Sequence, residues 1–179
     1  MTMLDKELLE QQLASLPIFQ YAFLSSGDLA FSARVRHICE TECPMYGTTW
    51  ACPPAVGTVE ACKKACLDYP EFLMVSTVNE VEDIENMELT LATRSEHEKL
   101  TAQIAELIRR QGVEVKVLST EACSICEKCT YPDGPCRFPD RMCPCVESHG
   151  ILVTDLAERC GIEFFNGNIV TWFSLILYR

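Results

Sequence analysis

The chain has 179 residues, 12 of them cysteine, and 15 basic residues against 26 acidic ones give a formal net charge of −11. That length suits one domain, expected over residues 1–179 with its own core, so the cysteines are not needed as staples, and the surplus negative charge argues against a nucleic-acid partner. No secretory leader is read in the charged, amphipathic opening MTMLDKELLEQQL, and no apolar run is long enough to span a bilayer. The expectation is a cytoplasmic protein away from membranes, where disulfides are rare and reduced thiols hold metal.

In chain order, the apolar stripe Leu4, Leu8, Leu9, Leu13 and Leu16 predicts a helix over 3–16, ended by Pro17. Two strands are expected over 18–24 and 29–36, with Ser25, Ser26, Gly27 and Asp28 as the turn of a hairpin. The stretch HICETECPMYGTTWACPP then carries Cys39, Cys43 and Cys52, with Tyr46 and Trp50 read as shields of a site. Pro44, Pro53 and Pro54 fix the backbone beside the thiols and remove amide donors that would otherwise bond to sulfur. His37 is read as a surface histidine. Thr58 is a candidate N-cap for a helix to about residue 68, on which Cys62 and Cys66 share the apolar stripe, where free cysteine commonly serves as a small hydrophobe.

A strand is expected over 71–78. Glu80, Glu82, Asp83, Glu85 and Glu88 then precede a helix running to Arg110, with acids at its start and arginines at its end, as the macrodipole favours. His97 falls at the edge of the buried stripe and is given no chemistry. A strand over 113–118 leads into CSICEKCTYPDGPCRFP, with Cys123, Cys126, Cys129 and Cys136. Two successive Cys-x-x-Cys steps wrap three corners of an iron–sulfur cubane, and Pro132, Asp133, Gly134 and Pro135 turn the chain so that Cys136 returns to the same metal or a neighbouring one.

Cys143, Cys145 and His149 follow; Cys145-x3-His149 is a spacing that zinc sites use. A helix over 151–160 would place Cys160 in the core. Asn166-Gly167 is read as the turn of a hairpin joining strands 162–165 and 169–178, the latter apolar on both faces and hence central. The expected fold is α+β or α/β, a mixed sheet with flanking helices. It would contain two strand–cysteine loop–helix–strand units, with a parallel crossover joining strand 71–78 to strand 113–118 and both cysteine loops at one sheet edge. In each unit the loop is expected to enter a helix N-terminus, where the dipole favours an anionic centre.

Cys39, Cys43, Tyr46-Gly47, Trp50, Cys52-Pro53-Pro54 and the later CSICEKCTYPDGPCRFP resemble the predicted metal-binding protein family of anaerobic bacteria and archaea. The resemblance implies that Cys39, Cys43, Cys52, Cys123, Cys126, Cys129 and Cys136 are the motif cysteines of a metal-binding, iron–sulfur type protein. Cys62 and Cys145 stand as further candidate ligands. Cofactors of the 4Fe-4S type are expected, two in number, with zinc as the alternative. Seven motif cysteines fall one short of closing two cubanes. An eighth from Cys62, Cys66, Cys143, Cys145 or Cys160 would make the protein an electron carrier, served by a basic or flavin-bearing redox partner. Without it, one iron stays open and an enzyme becomes the reading, since catalysis at a metal needs an open position.

Overall fold

The structure is a computed structural model and describes residues 3–165 and 167–179. Four strands form one sheet in the order β1-β2-β4-β3: β1 is Gln20–Ser25, β2 Glu71–Glu80, β3 Val115–Leu118 and β4 Ile169–Tyr178. Every pairing in the sheet is antiparallel, which corrects the mixed sheet expected from the sequence within an α+β fold. The crossover survives in a modified form. β2 and β3 point the same way and are joined through a helix, but β4 lies between them and pairs with both.

Alternation along β2 explains why both faces are covered. Phe72 and Met74 pack with Leu118, Leu156, Leu175 and Leu177 on one face, while Leu73 and Val75 pack with Leu100, Ile104, Ile108 and Ile176 on the other. The second face is closed by α1 (Lys6–Leu13), through Leu9 and Leu13, and by α4 (Met87–Arg110). α1 starts where the Asp5 side chain accepts from the Leu8 amide, and α4 where the Asn86 side chain accepts from the Glu88 and Leu89 amides. The first face receives Cys66 from α3 (Val59–Leu67) and Leu156 from α5 (Val153–Cys160); Thr58 caps α3, and Gly161 ends α5 in a left-handed conformation.

Two expected strands are absent. Residues 29–36 carry no ladder: Phe31 makes one isolated bridge to Ile151, and from Ser32, whose side chain accepts from the Arg34 amide, the chain enters α2 (Ala33–Thr41). Alternation over so few residues does not outweigh a capped helix start. Residues 162–165 are also outside the sheet. β4 has β2 along its whole length and β3 along its C-terminal part, and the Glu163 amide donates instead to the Gln20 side chain at 2.9 Å. The Asn166 part of the expected hairpin turn lies outside the described residues.

Of the two expected units, the second is present as β3, cysteine loop, α5 and β4, whereas the first lacks its opening strand and runs α2, cysteine loop, α3 and β2; they meet at the central β2–β4 pair. Their connections are stitched over the sheet, since Ser32 N donates to Gly150 O at 2.7 Å and Leu152 N to Ala30 O at 3.1 Å. This stitching, rather than strand direction, draws the cysteine segments together, because β1 and β3 run in opposite directions.

Candidate metal centre

Cys39 lies in the C-terminal part of α2, and Cys43 and Cys52 lie in the loop that follows. With Cys145 they line one cavity of about 450 Å³. Cys145 arrives because its segment continues past the end of β3: Ser119 N donates to Pro144 O at 2.8 Å, Val146 N donates to Ser119 O at 3.1 Å, and Ser119 and Cys145 form a parallel bridge. The Ser148 amide donates to Cys145 Sγ at 3.2 Å. Cys39 Sγ points at the Glu147 carbonyl, 3.9 Å away, which ties the two segments of this group to each other.

Arg36, one turn before Cys39, is buried against the same group. Its guanidinium donates to Gly57 O at 2.7 Å and to Ser148 O at 2.6 Å, and reaches Cys62 Sγ at 3.7 Å, while its Nε finds no partner among the described residues. It makes no carboxylate salt bridge among those residues. A buried cation without a counter-charge is costly unless an anion sits near it.

Cys123, Cys126, Cys129 and Cys136 line a second, narrow niche, walled in part by Trp50 from the first loop. The return of Cys136 is held by Thr130, whose hydroxyl donates to Pro135 O at 2.7 Å and whose carbonyl accepts from the Gly134 amide at 2.9 Å. Arg137 donates to Lys128 O at 2.8 Å. Cys136 therefore stays with its own loop instead of crossing to the first group. Arg94 of α4 fixes the start of this loop, donating to Ala122 O at 2.6 Å and Ser124 Oγ at 2.9 Å while paired with Glu98 at 3.0 Å.

The loops meet. Trp50 Nε1 donates to Gly134 O at 3.0 Å, and its indole stands edge-on to Tyr131 at 5.0 Å. Burial pushes the thiols of Cys39, Cys52, Cys123 and Cys145 above the ordinary value. Cys43 adds to the rise at Cys39, the Arg36 charge opposes it there, and Cys52 is influenced by both Cys43 and Cys123. Metal bound by these thiols would therefore displace protons. The first loop enters the N-terminus of α3 as expected, but Cys39 precedes that loop, beyond the middle of α2.

The donor set fits soft-metal chemistry, four thiols to each group. No three His, Cys, Asp or Glu side chains among the described residues stand close enough to hold a single ion, so the thiols ring a space rather than a point. The remaining cysteines lie elsewhere. Cys62 is buried, its thiol donating to Val56 O at 3.3 Å; Cys66 and Cys160 pack in or against the core; Cys143 lines an adjoining cleft with Glu98, Arg109 and Cys123, outside the niche of the second group. His149 is buried 3.1 Å from Ser148 Oγ and lines neither cysteine site, while His37 is exposed beside Glu40. Sequence reading missed Arg36 and Arg94. The signal for Arg94 is present in the stripe Arg94, His97, Thr101, Ile104, Ile108, in which polar residues share the buried face of a helix.

Among known families, the model described as Predicted metal-binding protein (DUF2284) matches residues 22–178. No curated protein and no solved structure matches. No helix among the described residues is long and apolar enough to cross a membrane.

Proposed function

The chain belongs to the predicted metal-binding protein family, and from that premise we propose that it holds two 4Fe-4S clusters, one on Cys39, Cys43, Cys52 and Cys145 and one on Cys123, Cys126, Cys129 and Cys136. A bound cluster of this type supplies a one-electron couple tuned by its surroundings. The observation that carries the reading is the arrival of Cys145 beside Cys39, Cys43 and Cys52 in one cavity, which gives each group four thiols. Full ligation leaves no iron open to a substrate, which favours an electron carrier or redox accessory protein over an enzyme acting at iron. The loops that carry the two thiol groups adjoin through Trp50, which walls the second niche and donates to Gly134 O at 3.0 Å, as transfer from one centre to the other requires.

The acidic surface, with a formal net charge of −11, suits a basic or flavin-bearing redox partner in the cytoplasm of an anaerobic cell. Zinc is the alternative metal for an all-thiolate set, and the spread of the thiols, no three of them close enough to hold a single ion among the described residues, favours the cluster over it. Anaerobic purification followed by iron, zinc and acid-labile sulfide analysis decides between them. Two cubanes give about eight iron and about eight sulfide per chain. A colourless protein with stoichiometric zinc and no sulfide overturns the cluster reading.

A further inference from the structure

The cavity at the first thiol group extends beyond the four cysteines to aromatic and polar side chains that the cluster does not use, the kind of lining found in small-molecule sites. Tyr46, Phe164, Trp172 and Phe173 contribute aromatic walls, and among the described residues the only charged side chains lining it are the carboxylates of Glu121 and Glu147. No Lys, Arg or His lines it among the described residues; Arg36 lies behind Cys39 with its guanidinium bound to backbone carbonyls.

The polar atoms of the walls are unevenly used. Trp172 Nε1 donates to Thr93 Oγ1 at 2.8 Å, so the indole has no free donor to offer a ligand. Ser119 and Thr120, by contrast, are buried wall residues whose hydroxyls have no partner among the described residues. Unpartnered buried hydroxyls are unusual and call for an explanation, of which an absent ligand is one. Glu121 is held at φ 53°, the only non-glycine residue with positive φ among those described, a conformation that costs energy and tends to occur at functional sites. Glu121 is exposed and lines the cavity, and it is the charge that recognition depends on.

Aromatic walls together with carboxylates and no competing cation are the chemistry that selects an organic cation, through ring faces and charge together. Phosphorylated or carboxylated ligands meet only like charge here. We propose that this cavity binds a small alkylated ammonium compound against Phe164 and Trp172, with its charge facing Glu121. This goes beyond the cluster assignment and takes the thiol group as one wall of the site.

Calorimetric titration of the purified protein, with iron content measured on each preparation, tests it. The probes are choline, benzyltrimethylammonium, the neutral carbon isostere dimethylbutanol and the anion dimethylbutanoate. At least one of the two cations should bind, dimethylbutanol about tenfold or more weaker than choline, and the anion not at all, as loss of a desolvated cation–aromatic contact implies. Glu121→Gln and Phe164→Ala should each weaken cation binding about tenfold, whereas Glu127→Gln, on the second loop, should leave it unchanged. Failure of both cations to bind, equal affinity for choline and dimethylbutanol, or wild-type affinity in both cavity variants overturns the proposal. Full iron without cation binding defeats this inference alone; cation binding without iron defeats the cluster assignment alone.

Discussion

His97 is buried with both ring nitrogens engaged, Nδ1 2.8 Å from Thr77 Oγ1 and Nε2 2.7 Å from Ser174 Oγ, and Thr101 donates to the same Ser174 oxygen at 2.9 Å. The network fastens α4 to β2 and β4, and α4 carries Arg94, which fixes the second cysteine loop. Burial lowers the His97 pKa from 6.5 to about 4, so the folded protein holds the imidazole neutral while the unfolded chain takes up a proton once the pH drops below 6.5. Stability is therefore unaffected above that value and falls by about 1.4 kcal/mol per pH unit between 6.5 and about 4. Between pH 7.5 and 5 the loss attributable to His97 is about 2 kcal/mol, and by pH 4 it approaches about 3 kcal/mol. His97→Gln keeps a donor and an acceptor but cannot titrate. Urea denaturation of both proteins at pH 7.5, 6 and 5 isolates the effect, because His149 and the carboxylates contribute equally to each curve. The stability gap should move in favour of the variant by about 2 kcal/mol on acidification, a midpoint change of about 1 M for a slope near 2 kcal/mol per molar urea. Parallel pH profiles would refute the reasoning.

Cys145→Ser should lower iron from about eight to about four per chain, while Cys143→Ser leaves it unchanged, as metal analysis under anaerobic conditions would show. Arg94→Met removes the donors to Ala122 O and Ser124 Oγ; a cost of about 1–3 kcal/mol and loss of metal from the second group before the first are expected, read by denaturation and by paramagnetic resonance of the reduced protein. Gly150 has φ +75°, and a Cβ there would stand 3.2 Å from Ser32 O and from Val59 Cγ1. Gly150→Ala should therefore cost at least about 1–2 kcal/mol and lower Tm by roughly 2–8 °C, with poorer filling of the first thiol group, because this glycine sits where the two units are stitched together.

The sequence by itself determined the local elements wherever an unbroken period and a cap agreed. The leucine stripe of α1, Thr58 before α3, the acid-to-arginine polarity of α4 and the Gly161 stop of α5 were all legible, because caps and stripes act within a few residues of themselves. Two-faced apolarity likewise placed β4 in the centre of the sheet. The clustering of Cys123, Cys126, Cys129 and Cys136 was equally local, since the Thr130 to Pro135 turn closes within the loop. Tertiary structure alone decided that residues 29–36 become a bridge and a helix, that the sheet is antiparallel throughout, and that Cys145 joins Cys39, Cys43 and Cys52. Each of these depends on which distant backbone supplies a hydrogen-bond partner: Gly150 for Ser32, Ser119 for Val146, Ser148 for Arg36. Spacing along a chain carries no record of such partners, because buried amides and carbonyls can be satisfied by many segments and only the assembled core selects one.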